Sequence, residues 1–301
     1  MQFAELLGRP RLLVAAAILF QWLTTLVVAL RAADVSLGAI ELLNIVVLGP
    51  LALACAYRVA AHVGGVALGS WALLVWVTAP WLVEALTLGS YSTTVQDRVL
   101  PLVLGLTAEP GYASGIALLV AVALLTARGR REAAAAGVAA GVGIVLVPEA
   151  LVFLVPVAVA LLVAWRGQEL GSFLLAAAPA LLVVSVFRQP AFGELSLDAL
   201  QANFGGLREY FFSQRLMQWL PIAGAIAVGR RSLPLALLLG GWFGSWVATA
   251  ATRVGTGLED GELFRVLLPA LPAYLLLAAA LPLLVPTLAT RLGPLARPVE
   301  G

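Results

Sequence analysis

The sequence returns again and again to stretches of about twenty residues that carry almost no charge, the length a helix needs to cross a bilayer. Ten such segments can be read, at roughly 12–30, 37–57, 60–80, 112–127, 133–147, 150–165, 171–187, 216–229, 233–251 and 266–287. Lipid offers no hydrogen bonds, so a backbone inside it must satisfy itself, and a helix does so within one segment. The composition agrees. Of 301 residues, 62% are hydrophobic and 11% charged, whereas a soluble domain is about a quarter charged. So few charges cannot cover a water-soluble surface of this size, which excludes an ordinary cytosolic enzyme. The expected fold is all-α: a single polytopic transmembrane domain over 1–301, of about ten spans, in the cell membrane. The first apolar run is long for a cleaved leader and no small-x-small site follows it, so a signal peptide is not expected.

Arginine placement predicts orientation. All 18 basic residues are arginine. With the N-terminus inside, the inner loops hold Arg9, Arg11, Arg58, Arg128, Arg130, Arg131, Arg166, Arg230, Arg231, Arg291 and Arg297, with only Glu5, Glu132, Glu169 and Glu300 against them. The outer loops hold Arg31, Arg98, Arg188, Arg208, Arg215, Arg253 and Arg265. They also hold the larger acidic set: Asp34, Glu84, Asp97, Glu109, Glu149, Glu194, Asp198, Glu209, Glu259, Asp260 and Glu262. Both termini are therefore expected in the cytoplasm. The inner connections are tight. The outer ones include long or polar loops at about 81–111, 188–215 and 252–265, and long loops tend to carry function.

Few residues inside the spans are polar. Glu41 and Asn44 lie three apart on one face of the second segment, and a carboxylate there is a functional candidate by default. Asp34 falls on the same stripe if that helix starts early. His62, the only histidine, reads as a boundary residue, and Cys55, the only cysteine, has no partner for a bridge. Gly64, Gly65 and Gly69 read as small residues that let helices approach. Metal-ligand, nucleotide-loop and triad patterns are missing from the sequence, so no metal and no cofactor are expected. Val147-Pro148-Glu149 reads as the turn of a helical hairpin, because proline cannot continue the helix before it.

Several stretches in order resemble the GT-C superfamily of polytopic glycosyltransferases, which use polyprenyl-phosphate sugar donors. They are Glu41-Leu-Leu-Asn44 leading to Tyr57-Arg58-Val-Ala-Ala-His62-Val-Gly64-Gly65; Trp76-Val-Thr-Ala-Pro80-Trp81; Glu109-Pro110 before a span; Ala136-Gly137-Val-Ala-Ala-Gly141 before Pro148-Glu149-Ala-Leu-Val-Phe-Leu-Val-Pro156; and Arg265-Val-Leu-Leu-Pro269-Ala-Leu-Pro272. The resemblance covers about 40–285. It implies an extracytoplasmic site in which a carboxylate takes a proton from the acceptor hydroxyl and arginines hold the donor phosphate. Asp34 is the acid of the first outer loop and the first choice of base. Glu84, Asp97 and Glu109 in the next loop are alternatives. Arg265 matches the family's phosphate-binding arginine, with Arg208 and Arg98 as helpers. The chain departs from the family in its short first outer loop, about Arg31–Ser36, and in lacking the paired acids many members carry. The implied partners are a polyprenyl-phosphate sugar lipid, the membrane and other membrane subunits, with no nucleic acid. Two further readings stay open: a catalytically silent subunit of the same fold, and a secondary transporter built around Glu41.

Overall fold

The computed structural model describes residues 10–31, 38–86, 100–188, 219–253 and 266–291. Among them the chain is all-helical. The elements are α1 (Pro10–Arg31), α2 (Ala39–Leu43), a π-helical turn (Asn44–Leu48), α3 (Gly49–Leu86), α4 (Leu100–Val103), α5 (Pro110–Leu125), α6 (Arg130–Leu146), α7 (Leu154–Val163), α8 (Gly167–Phe187), α9 (Trp219–Gly229), α10 (Leu233–Arg253), α11 (Leu271–Ala279) and α12 (Pro286–Arg291). Short 3₁₀ turns at Pro148–Phe153, Leu268–Ala270 and Leu281–Leu284 join the later ones. Among the described residues, three helical stretches are long and apolar enough to cross a membrane: Pro10–Leu30, Ala39–Ala79 and Gly167–Phe187. Shorter apolar helices accompany them at Pro110–Leu125, Pro148–Val163, Trp219–Gly229, Leu233–Thr249 and Leu268–Leu284. In length and composition these helices fit a membrane protein.

The sequence splits the second and third apolar segments near Arg58. The structure carries helix past that point and breaks it at Gly64–Gly65, where Gly65 has φ 70°. That left-handed conformation favours glycine. The chain then folds back on itself. A Cβ at Gly69 would lie 2.7 Å from Tyr57 Cε2 and 3.1 Å from Ala61 Cβ, although residues 57 and 69 of a straight helix stand about 18 Å apart. Gly69 therefore packs closely, as its size suggests, while Gly64–Gly65 form the turn. Arg58 stays on the helix with an exposed side chain, as a long arginine at a membrane boundary does.

Another departure precedes Pro50. In the π-helical turn, Gly49 N–H donates to Asn44 O. The next bond in that pattern would run from residue 50 to Ile45 O, but proline has no N–H. Trp22 of α1 supplies the missing donor, with Nε1 to Ile45 O at 3.0 Å.

Helices α6 and α8 run parallel and pack directly on each other, and α7, which connects them in sequence, runs back the other way. A Cβ at Gly137 would collide with the Phe173 carbonyl, and one at Gly141 would sit 2.9 Å from Ala180 Cβ. Gly137-Val-Ala-Ala-Gly141 is thus a small-xxx-small stripe that brings two backbones together without a hydrophobic driving force from lipid. The turn through Val147 and Pro148 expected from the sequence is present, with Val147 extended. On the far face of α6, Ser114 Oγ donates to Gly143 O at 2.9 Å. The core is apolar and carries large rings: Trp242 is fully buried and meets Phe153 edge-on at 5.2 Å. At the other pole, α8 presents Leu175, Leu182, Val186 and Phe187 outward, which suits a lipid-facing surface.

The helix ends gather charge unevenly. One end holds the Gly64–Gly65 turn, the starts of α6, α8 and α10, and α12, joined by arginines. Arg166 donates to Leu125 O and Ala127 O, both at 2.9 Å, and pairs with Glu169. Arg130 bonds Gln168, Arg230 reaches Leu284 O, and Arg231 reaches Val63 O and Ala289 O. The opposite end carries Glu41, Glu109 and Glu149 at the starts of helical segments. Arg188 also lies there and donates to Val145 O at 3.3 Å.

Candidate functional site

The acidic end is where the sequence places its chemistry. Of the candidates, Asp34, Asp97, Arg98, Arg208 and Arg265 lie outside the described residues, as does the side chain of Glu84. Glu41, Asn44 and Glu109 are described.

Asn44 is 2% exposed and opens the π-helical turn. Its amide nitrogen donates to Gly105 O at 3.3 Å and to Thr107 O at 3.2 Å, across more than sixty residues. Both donor hydrogens of the amide thus have an acceptor. The residue acts as a tether: it fastens the segment leading into α5 to the helix that carries Glu41. Gly105, at φ 71°, turns the chain there under Tyr112.

Glu109 lies two residues beyond that tether. It caps α5 in an extended conformation and is followed by Pro110 in the first turn, where a missing N–H leaves nothing unsatisfied. Tyr112 N–H returns to Glu109 O at 3.1 Å. The Glu109 side chain is half-buried and engaged with neighbouring groups.

Glu41 stands on the first turn of α2, not deep in a helix. Its carboxylate folds back over Gly38, where a Cβ would come within 2.7 Å of Oε2. A carboxylate at a helix N-terminus meets the positive end of the backbone dipole. That position reduces the cost expected for an acid inside a span. Asn44 is one turn further on, so Glu41 and Glu109 are drawn to the same end of the bundle by one side chain.

Two features here escaped the sequence reading. Glu149 is the buried acid among the described residues, 6% exposed, just after Pro148. From the sequence it reads as an outer-loop acid and as part of the Pro148–Pro156 stretch of the resemblance, with no role of its own, although burial of a carboxylate requires compensating partners, and it has neighbours that engage it. The other feature is a polar stripe on α1. Gln21, Thr24 and Thr25 are all buried and face the bundle. Gln21 Oε1, Thr25 Oγ1 and, on the tethered segment, Thr107 Oγ1 have no hydrogen-bond partner among the described residues. Their i, i+3, i+4 spacing was the available signal, masked by the apolar run around them. Gln21 and Thr24 border an enclosed space of about 20 Å³ with Trp76, Tyr112, Leu268 and Pro272. Such a space holds roughly one water.

The arrangement therefore offers carboxylates and unpaired polar atoms at one end of a helical bundle, beside the start of the final apolar segment. No protein family, no curated protein and no solved structure matches this chain.

Proposed function

We propose that this chain is a ten-span membrane protein of the glycosyltransferase type, with both termini and the arginine-rich end in the cytoplasm. In this reading it transfers a sugar from a polyprenyl-phosphate donor to an acceptor at its outer, acidic end. The observation that carries the reading is the Asn44 tether, which brings the Glu109 segment to the helix bearing Glu41. The ordered GT-C resemblance gives that end its chemistry. The bond from the anomeric carbon to the phosphate oxygen breaks, and a bond to the acceptor oxygen forms. A carboxylate, from Asp34, Asp97 or Glu109, takes the hydroxyl proton. Arg265, with Arg208 and Arg98, holds the departing phosphate, which a guanidinium grips through two parallel hydrogen bonds.

The test uses purified full-length protein in liposomes with a polyprenyl-phosphate sugar pool. Transfer is expected, and Glu109→Gln, Asp34→Asn or Arg265→Gln is expected to lower it by roughly 10²–10⁴-fold for whichever group acts. Absence of both transfer and donor binding overturns the reading.

One observation favours a second reading, a catalytically silent member of the same fold that holds polyprenyl lipid or another membrane subunit. The first outer loop, about Arg31–Ser36, is short, and the paired acids many members of the resembled family carry are missing. An Asp34→Asn, Glu109→Gln double variant that sustains cellular glycan output, where deletion abolishes it, selects this second reading.

A further inference from the structure

A much larger cavity lies at the opposite, arginine-rich end. Its volume is about 480 Å³, within the range of small-molecule sites. His62, Arg128, Arg166 and Arg231 line it at the helix ends. Below them the wall is apolar, with Val122, Leu125, Val157, Leu161 and Leu238. The first turn of α10, from Ser232 to Leu235, closes another side, and a helix N-terminus favours an anion.

The charge balance of the lining is positive. Glu169 offsets part of Arg166 through their ion pair. Arg166 Nε is buried and has no acceptor among the described residues. Arg128 is exposed and makes no hydrogen bond or ion pair to the described residues. A phosphate alone would fill a small part of the space and leave the apolar wall wet. Cations above and hydrocarbon below fit a molecule with a charged head and an apolar stem. Basic pockets between membrane helices on the cytoplasmic side hold anionic headgroups for the same reason.

We infer that this cavity is a binding site for a phosphate-bearing anion, with the headgroup of an anionic membrane lipid as its occupant, separate from the outer acidic end. The site rests on the helical bundle and on the proposed cytoplasmic placement of its arginine-rich end, and stands whether or not the transferase reading holds.

The experiment uses the purified full chain in neutral detergent. Phosphatidic acid, phosphatidylcholine and inorganic phosphate are the probes, native mass spectrometry reads lipid retention, and thermal unfolding reads stabilisation. Phosphatidic acid is expected to be retained roughly tenfold better than phosphatidylcholine, the scale of one charge-assisted contact. Arg128→Gln removes a cation that supports no helix end, and Ala164→Phe fills the cavity rim. Each is expected to erase that preference while leaving the unfolding temperature of the lipid-free protein in place. Inorganic phosphate that raises the unfolding temperature of the parent but not of Arg128→Gln, with no lipid preference, keeps the anion site and reassigns its occupant to free phosphate. Equal retention of the two lipids with no response to phosphate overturns the proposal. So does a preference that survives both variants.

Discussion

The two ends of this bundle use polar side chains in opposite ways. At the basic end, arginines reach backbone carbonyls where helices stop: Arg166 to Leu125 and Ala127, Arg230 to Leu284, Arg231 to Val63 and Ala289. Those carbonyls have no partner inside their own helices, and a cation beside them also meets the negative end of the dipole. Charge there closes short connections. At the acidic end several connections are long in sequence, and neutral groups such as Asn44 and Ser114 hold the chain, with Arg188 bonded to Val145 O, while carboxylates stand at helix starts. One uneven distribution of arginine and acid thus gives the two ends of the bundle different kinds of closure.

The sharpest way to break this comparison is to ask which end faces the cell interior. Cys55, the only cysteine, is buried and contributes little background to thiol labelling. Ala108→Cys, at an exposed position beside Glu109, is expected to react with a membrane-impermeant maleimide in intact cells. Arg130→Cys, exposed at the other end, is expected to react only after permeabilisation. The reverse pattern inverts the orientation. Next in size is Arg166→Gln, which removes the clip across two carbonyls and the Glu169 pair. A loss of about 3 kcal/mol, read from unfolding in detergent, is expected after allowance for its partial exposure. Asn44→Ala strips both donors from the tether and leaves two carbonyls short of a partner. A loss of about 2 kcal/mol is expected, together with faster proteolytic nicking around Gly105–Thr107, the segment the tether holds. If Asn44→Ala proves silent while Arg166→Gln does not, the acidic end is not held as described. The smallest effect expected is from Trp22→Phe, which keeps the ring but removes the donor to Ile45 O. A loss of about 1 kcal/mol is the scale of one neutral hydrogen bond.

The helical membrane fold was legible from hydropathy because a span must be both long and apolar. Most helix limits fall within a few residues of the expected ones: 133–147 against Arg130–Leu146, and 171–187 against Gly167–Phe187. The turn in the second and third segments was not. Arg58 drew the boundary to itself because charge signals a loop, yet a long arginine leaves the helix intact, and the glycine pair beyond it makes the turn. The last segment, 266–287, is broken by Pro269, Pro272 and Pro282 into 3₁₀ and α pieces, which proline positions foretold and hydropathy averaged away. At the site, Asn44 was visible as a polar residue in a span, but its partners at 105 and 107 depend on tertiary contact and leave no local trace. Gln21, Thr24 and Thr25 escaped notice because hydroxyls and amides barely lower the hydropathy of an apolar run.

Pro50 imposes an order on assembly. The carbonyl it leaves open at Ile45 is satisfied from α1, a separate hydrophobic segment made earlier. Leaving that carbonyl unbonded costs about 1 kcal/mol, the scale of one neutral hydrogen bond. The leading segment therefore gains by staying beside the ribosome-fed chain until residue 45 arrives, instead of drifting off into the bilayer. A proline in one crossing has become a claim on the whereabouts of another.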